Sequence, residues 1–189
     1  MASDKQKLRE IISLDSELNK LQDLDVLLER ILTEARRVTS ADAGSIYIRR
    51  GDNLVINYAQ NDTLQAKLPP GEKLIYKVFT IPVNKKTISG YAAATGEPVN
   101  IKDVYRISDN APYGFDPTYD RVSGYTSRSM IAIPLRTNMG DILGVIQLIN
   151  KCSSNGRPIS FNKEDELMLM HFATNATVAL QRAQMTRAI

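Results

Sequence analysis

The sequence predicts an α+β fold built on an antiparallel sheet. An amphipathic helical stretch leads straight into a strand–turn–strand pattern, a loop-rich centre follows, and two apolar strands then enter a long final helix. Helix followed by hairpin suits an antiparallel sheet, whereas a parallel one needs strands alternating with helices. The anchor is Asp141-Ile-Leu-Gly-Val-Ile-Gln-Leu-Ile-Asn-Lys151, aliphatic and β-branched, broken only by Gly144 and Gln147. That composition suits a strand covered on most of its surface. Gln147 would be costly to bury unpaired, so it requires a partner in the protein, a water or a ligand.

The 189 residues are 43% hydrophobic and 24% charged, the balance of one soluble domain with helical extensions. The net charge of +3 is spread among interspersed acids and bases, without the basic stripe a nucleic-acid partner needs. One cysteine and one histidine exclude a disulfide framework within the chain, a Cys-based zinc site and a His-rich metal site, and point to a reducing cytoplasm. No apolar run of membrane-spanning length and no secretion signal is present, so no membrane partner is expected.

The elements follow in order. Ile11, Leu14, Leu18 and Leu21 put a three-four seam on a helix over Lys5–Asp23, the pattern of a short coiled coil. It reads as a dimer or docking helix, or else as a solvated tail. A second helix, Asp25–Thr39, carries Leu24, Leu27, Leu28, Ile31, Ala35 and Val38 on one face, with Glu34, Arg36 and Arg37 outward. Asp23 or Asp25 is its N-cap, and Ser40–Gly44 breaks the periodicity. Ser45–Arg49 and Leu54–Tyr58 flank the turn residues Arg50–Asn53 as a hairpin. Gln60–Leu74 is loop-like and Tyr76–Pro82 extended. Lys86–Thr95 is a short helix closed by Gly96, and Pro98–Ile101 a strand. The long segment Asp103–Tyr125 is rich in aromatics and turn residues. It is either a lid over a binding site or a partly helical crossover whose aromatics are core. Ser129–Leu135 is a strand whose Pro134 belongs at an edge or bulge. After the opening strand, Asn162 caps a final helix, with Asp165 in capping-box position. Leu169, Phe172, Ala173, Ala176 and Leu180 form its inner face, and His171, on a helix rich in apolar residues, reads as a packed side chain and not a catalyst. No stop signal precedes Ile189, so the helix is expected to continue.

Asn150-Lys151, Phe161 and Asp165-Glu166 together resemble the Asn-Lys…Phe-x-x-x-Asp-Glu motif of GAF domains from cyclic-nucleotide phosphodiesterases and adenylyl cyclases. Ile81-Pro82-Val83, Ile88-Ser89-Gly90-Tyr91, Thr95–Ile101 and Arg128–Leu135 are similar to further stretches of that family. The resemblance covers residues 24–180, leaving 1–23 as a coiled-coil or linker helix and 181–189 as the start of a linker to an effector. It implies an antiparallel sheet of about six strands, with the terminal helices on one face and loops and short helices forming a ligand pocket on the other. It also makes Asn150, Lys151, Phe161, Asp165 and Glu166 a structural latch. Lys151 and Asp165 are placed to pair across the loop, and the carboxylates suit a helix N-terminus.

By the same resemblance the ligand-facing positions are Ser45, Ile88, Ser89, Asp116, Asp120, Ser123, Ser127 and Gln147. Asp116 stands where the phosphodiesterases have an aromatic, Gln147 where they have an acid, and Ser123 and Ser127 where they have threonines. Serine and glutamine still hydrogen-bond a purine or a phosphate, whereas Asp116 would repel a cyclic phosphate unless it faced away. The helix start at Thr87–Gly90 is suited to an anion. The implied ligand is a cyclic nucleotide or another small metabolite, with no haem, bilin or metal. The implied partners are a second copy through the terminal helices and a C-terminal effector. Arg182–Ile189 resembles the linker that precedes HD-GYP cyclic-di-GMP phosphodiesterase domains. The alternative is a ligand-free dimerisation module. Catalysis within the segment is not expected, because free methionine sulfoxide reduction on this fold needs several cysteines and only Cys152 is present.

Overall fold

A computed structural model of the chain describes residues 3–18, 23–75 and 78–187. Helices α1 (Asp4–Leu18) and α2 (Leu24–Thr39) lead into strands β1 (Ala41–Arg50) and β2 (Asn53–Asn61). A one-turn helix α3 (Asp62–Gln65), strand β3 (Thr80–Pro82), helix α4 (Ile88–Thr95) and strand β4 (Val99–Ile101) follow. The crossover holds a 3-10 turn at Val104–Arg106 and helix α5 (Thr118–Ser123). Strands β5 (Met130–Arg136), β6 (Ile142–Cys152) and β7 (Pro158–Ile159) then precede α6 (Lys163–Arg187). Among the described residues the sheet has seven strands in the order β3-β2-β1-β6-β5-β4, with β7 added to the end of β6, and every pairing is antiparallel.

The sheet carries a core on each face, because side chains alternate along a strand. Ile46, Ile48, Ile131, Ile133, Ile146 and Leu148 pack under α1, α2 and α6. Tyr47, Ala132, Val145 and Ile149 point the other way, toward α4 and the crossover. Gly144 permits a close approach of β6 to β1, since a Cβ there would lie 2.0 Å from the Tyr47 carbonyl oxygen. Pro134 pairs with Val145 of β6, while β4 reaches only as far as Ala132, so its missing N–H interrupts no ladder.

Several expectations shift. Strand β1 begins at Ala41, so Ala41–Gly44 is strand and not a break; the break is Ser40 alone, left-handed at φ 58°. The cap of α2 is Asp23, whose Oδ1 accepts from Asp25 and Val26 N–H at 2.9 and 3.2 Å. Glu34 is buried against Arg37 and Arg30. Arg36 turns inward to the Ala41 and Asp42 carbonyls, Gln60 and Asp62. The α1 seam is filled within the chain, with Ile11, Leu14 and Leu18 buried where α1 meets α2 and α6; Leu21 lies outside the described residues. His171 is on the exposed side of α6, not packed. The predicted inner face of α6 is buried throughout. Among the described residues no helix is long and apolar enough to cross a membrane.

Candidate functional site

Gln147 lies mid-strand on the crossover-facing side of β6, between Ser45 of β1 and Ala132 of β5. Its side-chain oxygen accepts from the Ser89 hydroxyl at 2.5 Å. Helix α4 supplies that serine from its first turn. Thr87 caps the helix through its hydroxyl oxygen, which accepts from Gly90 N–H at 3.1 Å. Gly114 N–H donates to the Lys86 carbonyl at 2.9 Å, pinning the crossover to the helix start. Ile88 is buried beside it. Four predicted positions, Ser45, Ile88, Ser89 and Gln147, therefore fall in one neighbourhood.

Aromatic side chains wall this neighbourhood. Tyr47 follows Ser45 by two residues and so shares its face. It meets Phe79 edge-on, with ring centroids 6.0 Å apart. Burial pushes the Tyr47 hydroxyl well above the ordinary tyrosine range, against an opposing contribution from Ser45, and Tyr119 is near enough to add to the rise. Phe79 and Tyr119 remain 40% and 48% exposed, and Ile75, Val78 and Val122 are exposed apolar neighbours of theirs in sequence. The period-two relation of Tyr47 to Ser45 is a usable sequence signal; the roles of Phe79 and Tyr119 have none, because Phe79 lies on an irregular segment and Tyr119 on a six-residue helix too short to show a period.

The four crossover positions are occupied otherwise. Asp120 is 6% exposed. Its carboxylate accepts from the Ser127 N–H and hydroxyl, both at 2.8 Å, and from the Tyr105 hydroxyl at 2.7 Å. That bond to Asp120 raises the Tyr105 pKa. Asp116 is exposed, its Oδ1 accepting from the Thr118 hydroxyl and N–H at 2.6 and 2.9 Å. Those bonds, the hydroxyl first, hold its carboxyl below the usual range. Ser123 accepts from Tyr125 N–H at 3.2 Å. The structure thus assigns these residues bonds that shape the crossover and its helix α5.

The latch residues close the other end. Asn150 is left-handed at φ 60°. Its side chain accepts from Arg128 N–H at 2.6 Å and donates to the Tyr125 hydroxyl and Thr126 carbonyl, both at 2.9 Å. Lys151 forms a buried ion pair with Asp165. Asp165 and Asn162 bond reciprocally at 2.8 Å each way, a capping box with aspartate in place of glutamate. Phe161 is buried and its carbonyl accepts from the Asn100 side chain at 3.1 Å. Glu166 pairs with Lys163 at 3.1 Å on the surface. The Tyr125 hydroxyl also donates to Asp42 at 2.7 Å, and Thr63 donates to the same oxygen at 2.6 Å, so β1, α3, β6 and the crossover share one network. Burial, then Asp42, pushes the Tyr125 hydroxyl far above its ordinary range. Two open clefts, of about 450 and 600 Å³, lie at the opposite end of the sheet and include none of Ser45, Ser89 or Gln147. The chemistry predicted from sequence and these two clefts are therefore in different places, and Gln147 is paired with Ser89.

The GAF-domain family profile matches residues 23–180. The chain is a GAF domain. It is 29% identical over 167 residues to a cGMP-specific 3',5'-cyclic phosphodiesterase of Drosophila mojavensis, covering 86% of this chain and 14% of that protein. It is 35% identical over 100 residues to the dual 3',5'-cyclic-AMP and -GMP phosphodiesterase 11A of Takifugu rubripes, covering 53% of this chain and 10% of that protein. The domain thus spans a small fraction of the length of these relatives. Among solved structures, the GAF domain of a phosphoenolpyruvate-protein phosphotransferase from Coxiella burnetii superposes with a TM-score of 0.72 at 18% identity, covering all of both chains. The free methionine-R-sulfoxide reductase of Neisseria meningitidis, solved with its substrate, gives 0.69 at 19% identity over 100% of this GAF domain and 96% of that chain. These likenesses establish the fold.

Proposed function

We propose that this GAF domain is a regulatory sensor. It binds a small ligand, a cyclic nucleotide first among candidates, between the sheet and the crossover, and passes occupancy through its terminal helices to an output domain. The observation that carries this reading is the Ser89–Gln147 bond at the sheet centre, beside Ser45 and under Tyr47. A carboxamide and two hydroxyls offer the donors and acceptors that read a purine edge. Tyr47, Phe79 and Tyr119 offer ring faces for a base. The first turn of α4 offers N–H groups to a phosphate, and the Asp116 carboxylate is exposed and engaged by Thr118. The names of the phosphodiesterase relatives support the same ligand class.

Strand β6 couples the two sides, since Gln147 faces the ligand while Ile146 and Leu148 pack beneath the helices. The output domain is an HD-GYP phosphodiesterase on this reading, and the domain works as a homodimer in the cytoplasm. Because the α1 seam is spent inside the chain, dimer contact falls to the outer side of α6, where Leu167, Met170 and Met185 are exposed. A ligand-free dimerisation module is the second reading, favoured by the same bond, which satisfies Gln147 without a ligand.

Titration calorimetry with cyclic AMP, cyclic GMP and cyclic-di-GMP separates the two. Binding of one of them, weakened about tenfold or more by Gln147→Ala, is expected. No heat from any of the three at millimolar concentration would leave the dimerisation reading.

A further inference from the structure

The far end of the crossover-facing sheet surface carries a second polar site, unrelated to Gln147. It is the open cleft of about 450 Å³, lined by Arg49, Arg136, Asp141, Ile142 and residues 93–96 at the C-terminal end of α4. Arg136 pairs with Ile142 across β5 and β6, and Ile48, the neighbour of Arg49, pairs with Gly144 across β1 and β6. The two arginines therefore flank the same end of β6, their backbones about 10 Å apart, two strand spacings.

Arg136 is exposed and has no counter-ion among the described residues. Gly96 and Gly140 are both left-handed, at φ +71° and +90°. A Cβ on the first would lie 3.6 Å from Nη1 of Arg136, and on the second 3.8 Å from Nη2. The guanidinium thus rests over two bare glycine backbones. Elsewhere the arginines Arg36, Arg37 and Arg128 each reach a carboxylate. Among the described residues the Arg136 guanidinium takes no hydrogen bond or ion pair. Arg49 spends only its Nε, on the Gly51 carbonyl at 2.9 Å. Asp141 bonds through its backbone alone, to Thr137, which leaves its carboxylate unpaired as well. The last carbonyls of α4, with their partial negative charge, lie on the same wall.

The cleft therefore gathers two guanidiniums, a carboxylate and the end of α4 side by side, with no ion pair among them in the described residues. A bare anion would meet Asp141 and the helix end; a bare cation would meet two guanidiniums. We propose that the cleft binds a small zwitterion of the α-amino-acid type, its carboxylate on Arg136 and Arg49 and its ammonium on Asp141 and the α4 carbonyls. Its side chain lies over Ile142. The site is independent of the sensor reading. Ser89 sits at the opposite end of α4, an eight-residue helix about 12 Å long. The adjoining groove shares Arg49 and Ile142 with the cleft and runs on to Leu24 of α2 and Gln184 of α6. Occupancy is thus felt where both long helices leave the sheet.

Amide-resolved NMR titration with each of the twenty amino acids at about 10 mM, a range that detects millimolar affinity, tests this. Acetate, ethylamine and inorganic phosphate serve as half-ligand controls. At least one amino acid is expected to shift the Gly96, Gly140 and Ile142 amides saturably, with neither acetate nor ethylamine doing so. Arg136→Ala and Asp141→Asn should each weaken it about tenfold or more, while Ser89→Ala leaves it unchanged; retained spectral dispersion shows that the variants fold. The proposal is overturned if no amino acid gives saturable shifts. It is equally overturned if acetate or phosphate binds as well as any amino acid and Asp141→Asn makes no difference, the mark of an adventitious anion only.

Discussion

Lys151 and Asp165 stand 14 positions apart, yet both side chains are withdrawn from solvent, at 10% and 1% exposure. Removing one partner strands the other as a buried charge. Lys151→Ala is therefore expected to cost about 3–5 kcal/mol in urea unfolding, whereas replacing both by apolar residues of like volume recovers much of the loss. Gly144 offers a sterner test, because a Cβ 2.0 Å from the Tyr47 carbonyl has backbone, not a flexible side-chain tip, in its way. Gly144→Ala should part β1 from β6 and leave no cooperative thermal transition. Tyr47 and Tyr125 set the alkaline limit. Burial raises both phenols, so the folded state prefers the protonated form. Their contribution is complete below the unfolded tyrosine pKa, about 10, and is lost as pH rises beyond it. Unfolding free energy should fall above about pH 10, less steeply in Tyr125→Phe; an unchanged slope in that variant would show that Tyr125 is not the titrating group.

Helix α1 shows how an element's pattern and its use diverge. The seam Ile11, Leu14 and Leu18 is legible in the sequence, but the same spacing serves a second copy or the chain's own helices equally well. The fold fills it with α2 and α6, and Arg37 of α2 adds an ion pair to Glu10 of α1 at 3.1 Å. Leu18→Ala should then lower the stability of the domain itself by about 2–5 kcal/mol, read by denaturant unfolding at several protein concentrations. A midpoint that moves with concentration would return the seam to the dimer. Helices α2 and α6 were legible because each pairs a periodic apolar face with a side-chain cap, Asp23 and Asn162. Helix α3 was not, since four residues carry no period. Arg36 looked solvent-facing by its helical position, and only the arrival of Ala41, Asp42 and Gln60 beside it turned it inward.

At the scale of the whole molecule the sheet separates two tasks, helices on one side and a polar neighbourhood under the crossover on the other, and β6 belongs to both. If dimerisation uses the outer side of α6, Met170→Glu should yield monomers by light scattering with the melting temperature little changed, since that side chain is already exposed. The sequence by itself determined the α+β class and the antiparallel sheet, because these follow from local periodicity and turn chemistry; Asn150, Lys151, Phe161, Asp165 and Glu166 stood out through their resemblance to a motif compact along the chain. It also determined that Gln147 needed a partner, since burying an amide has a cost wherever it occurs. The partner was a matter for tertiary structure: Ser89 is 58 positions away, and no local rule spans that distance. Tertiary structure likewise decided that Asp120 and Ser127 bind each other, that Asp116 faces outward, and that Arg49, Arg136 and Asp141 share one cleft. Each outcome depends on which strands lie side by side, and the fold alone supplies that.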